Sequence, residues 1–144
     1  MQRREWLARF LRCYKATMAL LDRVQAEAGY PHKDVTSVDL ADYKACPVWF
    51  DRHLEIGYNN EPESVAHELG HGLHEKIREA GKSDFLGEEF AEAIRFYVET
   101  AMMTSSSWLQ RFHKAGNPFT NRYTLGQFIA ALKSGELFKT VGWN

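Results

Sequence analysis

The chain has 144 residues, of which 44% are hydrophobic and 26% are charged, and its formal net charge is −1. This length predicts one globular domain, residues 1–144, with a hydrophobic core of its own. The near-neutral charge, with both signs interspersed, argues against nucleic acid as a partner. Every apolar run is too short to span a membrane, so we expect no membrane partner.

The N-terminus and the cysteines bear on the compartment. Basic residues come first, but Arg9 and Arg12 interrupt any apolar run of the kind that a signal peptide needs. Cys13 and Cys46 are too few and too far apart to indicate a disulfide framework. We therefore expect no export signal; the compartment itself stays unknown, with the cytoplasm as the default.

A long amphipathic helix is predicted at residues 5–28. Trp6 and Phe10 begin an apolar series at helical spacing, and we expect these aromatic side chains in the core. Gly29 and Pro31 are typical of a helix end. The first fifth of the chain is thus expected to be one helix.

Apolar and polar residues alternate over residues 48–58, which predicts one half-buried strand with a shorter partner strand at residues 35–40. A helix start follows, because Asn60 can cap a helix and Pro62 is tolerated in a first turn. This helix is expected to run to about Ala80 and to end at Gly81.

A second carboxylate-rich helix is predicted from about Ser83 or Asp84 to Met103. Beyond it we expect a short helical segment at residues 108–114, a turn at 116–118 and a last helix at 124–133. The fold class predicted from these elements is α+β, mainly helical, with a small N-terminal sheet.

Residues 67–71, His-Glu-Leu-Gly-His, form the HExxH pattern within the predicted helix. Four residues turn a helix by about 400°, so His67 and His71 leave the same face one turn apart, where one zinc ion can accept both. Glu68 lies about 100° around the helix, close enough to hold a water without binding the ion. The pattern predicts a Zn²⁺ site with Glu68 as the general base.

A catalytic zinc usually has three protein ligands and leaves one position open. The next helix offers Glu88, Glu89 and Glu92, of which Glu88 and Glu92 face the same way. We favour Glu88 as the third ligand and Glu92 as a group that orients a ligand histidine. Glu92 and Glu89 remain alternatives, and the same glutamates also fit an ordinary solvated helix face.

His74 shares the face of both motif histidines but lies seven residues from His67, roughly 10.5 Å along the axis. That distance excludes it from the same ion, and we expect it at the surface or behind the ligands. The longer metzincin pattern is absent, because its glycine position holds His74 and its third histidine position holds Ile77.

These two patches resemble the gluzincin peptidases, and the glutamate helix resembles that of the anthrax lethal factor and Pro-Pro endopeptidase group. The resemblance implies a zincin-like domain that hydrolyses a peptide or protein substrate along an edge strand, here expected within residues 48–58. It also implies Zn²⁺ as cofactor, Glu68 as catalytic base, Glu92 as the partner of a ligand, and a ligand set of His67, His71 and Glu88.

The resemblance covers only residues 60–99. The tyrosine that those enzymes place shortly before the glutamate helix has no counterpart, since residues 80–87 hold Phe85 and no tyrosine. Tyr97, Tyr123 and His113 are the candidates for an oxyanion donor. Two alternatives stay open: a zinc-binding regulatory or interaction module without turnover, and a protease of the ImmA-like kind acting on one protein partner, whose usual Glu-Ala-Asn signature is missing.

Overall fold

The computed structural model describes residues 1–32, 35–81, 86–103 and 116–140. Within these ranges the chain is α+β, which confirms the predicted class, with five helices and one three-stranded sheet. In chain order the elements are α1 (Arg3–Ala28), β1 (Ser37–Ala41), β2 (Val48–Phe50), β3 (His53–Gly57), α2 (Ser64–Glu79), α3 (Gly87–Met102), α4 (Leu125–Ser134) and α5 (Glu136–Thr140).

Helix α1 confirms the first predicted helix and begins two residues earlier than expected. It ends where Gly29 adopts a φ of 82°, and the Gly29 N–H donates to the Gln25 carbonyl. Trp6 is 1% exposed and its indole Nε1 donates to the Asn60 carbonyl at 2.8 Å. This contact ties α1 to the loop that leads into α2.

The sheet has the strand order β1-β3-β2, with β1 parallel and β2 antiparallel to the central β3. The single strand predicted at residues 48–58 is therefore wrong, because Asp51 and Arg52 form a tight turn with φ values of 45° and 70°. Phe50 pairs with His53 across this turn, so Val48 and Phe50 lie on the outer face, opposite the buried Leu54. The predicted partner strand is confirmed as β1.

The start of α2 differs from the prediction. Asn60 does not cap the helix; its Oδ1 instead accepts from the Gly57 N–H at 2.7 Å and holds the turn after β3. The helix begins at Ser64 without a side-chain cap. It ends at Glu79, and Gly81 with a φ of 87° confirms the predicted stop.

Helices α2 and α3 approach closely at Gly70. A Cβ at Gly70 would lie 3.0 Å from the Cα of Ala91 and 3.1 Å from the Cβ of Ile94. This approach brings the first two turns of α3 alongside the HExxH residues. The predicted start of this helix, at Ser83 or Asp84, lies outside the described residues.

The remaining helices close one continuous core cluster around Phe90, Phe119 and Phe128. Helix α4 begins with the capping box of Thr124 and Gln127, close to its predicted start. Helix α5 was not predicted, and the segment expected at 108–114 lies outside the described residues. None of the described helices combines the length and apolar character that crossing a bilayer requires.

Candidate metal centre

The two motif histidines meet on one face of α2. The Nε2 atoms of His67 and His71 lie 3.0 Å apart, and their ring centroids are 4.7 Å apart at a steep interplanar angle. Both rings are partly exposed to the same cleft. The spacing of four residues thus aims two imidazole nitrogens at one point, as the sequence predicted.

Glu88 reaches the same point from α3. Its Oε2 lies 3.2 Å from His67 Nε2, and its Oε1 lies 3.1 Å from His71 Nε2. Donors that surround one zinc ion at about 2.0 to 2.1 Å in a tetrahedral arrangement are separated by about 3.3 Å. The three side chains therefore fit a zinc ion in both donor chemistry and spacing.

The other two candidate carboxylates lie elsewhere. Glu92 Oε1 is 3.2 Å from Nδ1 of His67, the ring nitrogen that does not face Glu88. The backbone carbonyl of Glu89 accepts from the Asn117 amide at 2.8 Å, and the Glu89 side chain does not line the cleft. The geometry thus favours Glu88 as the third donor and Glu92 as the partner of a ligand.

Glu68 lies beside this cluster and is 9% exposed. Burial, with a smaller contribution from the charge of Glu88, raises its pKa to about 7, although His67 and the backbone N–H of Trp49 act in the opposite direction. A carboxyl group with this pKa can both take up and release a proton near neutral pH. This pKa applies to the metal-free site, and a cation held by the neighbouring histidines would lower it.

The two histidines respond differently to their surroundings. Burial acts to lower the pKa of His67, but the carboxylates of Glu92, Glu68 and Glu88 outweigh it, and the pKa is raised. The pKa of His71 is lowered, first by burial and then by the neighbouring His67. Two imidazoles this close cannot both carry a proton easily. The carboxylates around them favour a cation at this position.

The cluster opens into a cleft of about 570 Å³. Residues 46–49, which include the start of β2, line the cleft together with residues of α2 and α3. Among the described residues β2 pairs with β3 alone, and on its other side the Trp49 N–H donates to Glu68. The Trp49 indole packs against α2, where a Cβ at Gly72 would lie 3.1 Å from its Cζ2. An extended chain that pairs with this edge beside the histidines would therefore have to accommodate or displace the hydrogen bond between Trp49 and Glu68.

Sequence reasoning missed two groups at the cleft. The backbone N–H of Trp49 donates to Glu68, which no side-chain pattern reveals. Arg95 lines the cleft and is buried, and its Nε donates to Glu99 Oε2 at 2.7 Å. Its position three residues after Glu92 on α3 was the available signal, since such residues share a helix face.

Four further predictions concern single side chains. His74 is not at the surface; it is 5% exposed, and a Cβ at Gly87 would lie 3.0 Å from its ring. The Tyr97 hydroxyl donates to the Tyr123 carbonyl at 2.7 Å, and both tyrosines line a different pocket, so the structure does not bring either one to the cleft. His113 lies outside the described residues.

Comparison with known proteins adds no relative. No protein-family model matches the chain, and searches of the curated proteins and of the solved structures find no match. The resemblance to gluzincins therefore rests on residues 60–99 and on the site geometry alone.

Proposed function

We propose that this chain is a zinc-dependent peptidase of the gluzincin type, with a zincin-like fold, that hydrolyses bonds in a peptide or protein substrate. The observation that carries the proposal is the convergence of His67, His71 and Glu88 beside the buried Glu68. The three donor atoms all lie within 4.8 Å of one another. Two imidazoles and one carboxylate are a ligand set typical of catalytic zinc.

Each residue has a definite role in this proposal. His67, His71 and Glu88 would hold Zn²⁺, and Glu92 would keep the His67 ring oriented through its Nδ1. When bound, zinc supplies Lewis acidity toward a water molecule and toward the scissile carbonyl. Glu68 takes the proton of the attacking water and returns it to the leaving amine.

The cleft-side edge of β2, which pairs with no described strand, supports a peptide as the substrate. An extended peptide can add to a sheet edge through main-chain hydrogen bonds, which require no particular side chains. Because residues 46–49 line the cleft that holds His67 and Glu88, a peptide on this edge would carry a backbone carbonyl beside the donors. A small-molecule site would need no such edge.

The rival reading, a zinc module without turnover, is less well supported. Structural zinc sites usually have four protein ligands, whereas the described residues bring three donors together here. Such a site also has no need for a buried carboxylate next to the ligands, since burying one costs stability. Glu68 is therefore the feature that favours hydrolysis.

The test is cleavage of a peptide library by the zinc-loaded chain, read by mass spectrometry. Glu68→Gln keeps the volume and the ligands but removes the base, so we expect it to retain zinc and lose about 10²- to 10⁴-fold in rate. Glu75→Gln, on the same helix but outside the cleft, is the matched control and should cleave normally. Cleavage at the wild-type rate by Glu68→Gln, or none by the wild type, would contradict the proposal.

A further inference from the structure

We infer a second site for a divalent transition-metal ion on the outer face of the sheet, formed by Asp39, His53 and Glu55, here called the outer-sheet triad. Strand residues alternate between faces, and the neighbouring Leu54 and Ile56 are fully buried on the inner face. The triad therefore faces away from the helices and the cleft. It is independent of the proposed function.

The backbone register places the triad. Strands β1 and β3 run parallel, with Asp39 opposite Glu55 and Ser37 opposite His53. Residues two apart on a strand share a face, so all four side chains stand on the same side of the sheet. Their proximity follows from strand pairing and does not depend on one flexible loop.

The donor atoms are spaced for a shared ion. His53 Nε2 lies 3.3 Å from Asp39 Oδ2 and 3.7 Å from Glu55 Oε1. Oxygen and nitrogen ligands at about 2.0 to 2.2 Å from a tetrahedral ion are themselves about 3.3 to 3.6 Å apart. All three donor atoms lie within 4.8 Å of one another, so the Glu55 carboxylate must move closer to complete the arrangement.

Groups outside the triad orient its members. His53 Nδ1 lies 2.6 Å from Ser37 Oγ, which leaves Nε2 directed at the two carboxylates. Metal-binding histidines are commonly held in this way through their second ring nitrogen. Lys44 Nζ donates to Glu55 Oε2 at 2.9 Å and lowers the Glu55 pKa, so the carboxylate is ionised with its other oxygen turned toward His53.

The ligand chemistry indicates the class of metal. One imidazole with two carboxylates suits Zn²⁺, Cu²⁺ or Ni²⁺ better than Ca²⁺ or Mg²⁺, which prefer oxygen ligands throughout. The two carboxylates exceed the single positive charge of Lys44, so a dication is attracted. An ion held by Asp39 on β1 and by His53 and Glu55 on β3 would fasten the exposed edge strand β1 to the sheet.

The test is a calorimetric zinc titration of the full chain carrying His71→Ala, which disables the HExxH site. We expect one remaining zinc equivalent, whose affinity falls by more than about tenfold when His53→Ala is added. His32→Ala is the matched control: His32 pairs with a single carboxylate, Asp22, at 2.6 Å, and its loss should leave zinc binding unchanged. Lys44→Gln should tighten binding, because it removes a competing cation.

A second variant tests the triad without requiring the doubly substituted chain to fold. Asp39→Asn in the otherwise unchanged protein should lower the zinc stoichiometry by one equivalent, with the far-ultraviolet circular dichroism unaltered. No uptake by a folded His71→Ala chain, or uptake that His53→Ala does not weaken, would overturn the inference and leave the triad as an ion-pair cluster. Because each site has its own variants, failure of one is distinguishable from failure of the other.

Discussion

At the level of single residues, Glu68 has the most unusual environment near the candidate centre. It is 9% exposed, borders the cleft and accepts from the Trp49 backbone N–H. Burying a carboxylate costs stability unless the group is protonated or paired. A buried carboxylate that lowers the stability of the protein is expected to serve the chemistry of the site. The loss of stability can be measured.

Glu68 makes the stability of the metal-free protein depend on pH. Its pKa is raised from the ordinary 4.5 to about 7, so the folded state holds the proton more tightly than the unfolded state. Its stabilising contribution is complete below about pH 4.5 and is lost as the pH rises to about 7. Glu68→Gln removes this loss and should raise the free energy of unfolding at pH 8 by up to about 3 kcal/mol.

Urea denaturation of chelator-treated wild type and Glu68→Gln at pH 4.5 and pH 8 checks this prediction. The increase in the free energy of unfolding of Glu68→Gln over the wild type should be present at pH 8 and nearly absent at pH 4.5. Glu75→Gln, which lies outside the cleft on the same helix, should show no such pH-dependent gain. A gain of equal size at both pH values, or a loss at pH 8, would contradict the account of Glu68.

The HExxH residues were predictable because their geometry is set within one helix. Spacing alone placed His67 and His71 on one face, and it ranked Glu88 and Glu92 above Glu89. Of the two positions expected for His74, the surface is wrong, because a helical face says nothing about what packs on it. The His74 ring fits in the interior because Gly87, at the start of α3, has no Cβ to collide with it.

At the level of elements, the contact between α2 and α3 positions Glu88 against the histidines. Gly70 lies within the HExxH pattern, and its lack of a side chain allows α3 to approach at Ala91. Backbone atoms form part of this contact, so an added methyl group cannot be accommodated by a side-chain rotation alone. The separation of the two helices and the geometry of the candidate metal centre are therefore linked.

Gly70→Ala should destabilise the protein by about 1 to 3 kcal/mol and weaken zinc binding, because α3 must move away from α2. Gly126→Ala is the matched control, since a Cβ there would have its nearest contact at 3.9 Å, on the Arg23 guanidinium. The control should leave zinc affinity unchanged and stabilise the helix by up to about 1 kcal/mol. Thermal unfolding and zinc titration of both variants test this prediction. Equal stability and equal zinc affinity of Gly70→Ala and Gly126→Ala would show that the close approach of α2 and α3 is unimportant for the site.

The hairpin shows where reading a strand from its pattern fails. Apolar residues continue to alternate with polar ones through residues 48–58. The two-residue turn, however, places the even-numbered residues before it on the outer face of the sheet and the even-numbered residues after it on the inner face. Phe50 pairs with His53 and shares its outer face, whereas Leu54 points inward. The turn residues Asp51 and Arg52 lack the Asn-Gly or Asp-Gly signal that usually marks such a turn.

At the level of the whole molecule, the sequence predicted the α+β class, α1, the HExxH helix and the start of α4. It did not predict strand order or α5, because these depend on contacts between distant segments. The candidate site joins α2, α3 and β2; its α2 and α3 portions have recognisable local patterns, whereas the β2 portion has none. The zincin-like architecture stays a proposal, supported by the order of edge strand, HExxH helix and glutamate helix.

The most direct measurement of the central claim is the zinc content of the purified chain by elemental analysis. It is best made in the His53→Ala background, so that the outer-sheet triad does not contribute. We predict about one zinc per chain, absent in His71→Ala and unchanged in Glu89→Ala, with Glu88→Ala lowering the zinc content more than Glu92→Ala does. A folded chain that takes up no zinc, or that holds it equally well after His71→Ala, would contradict the account.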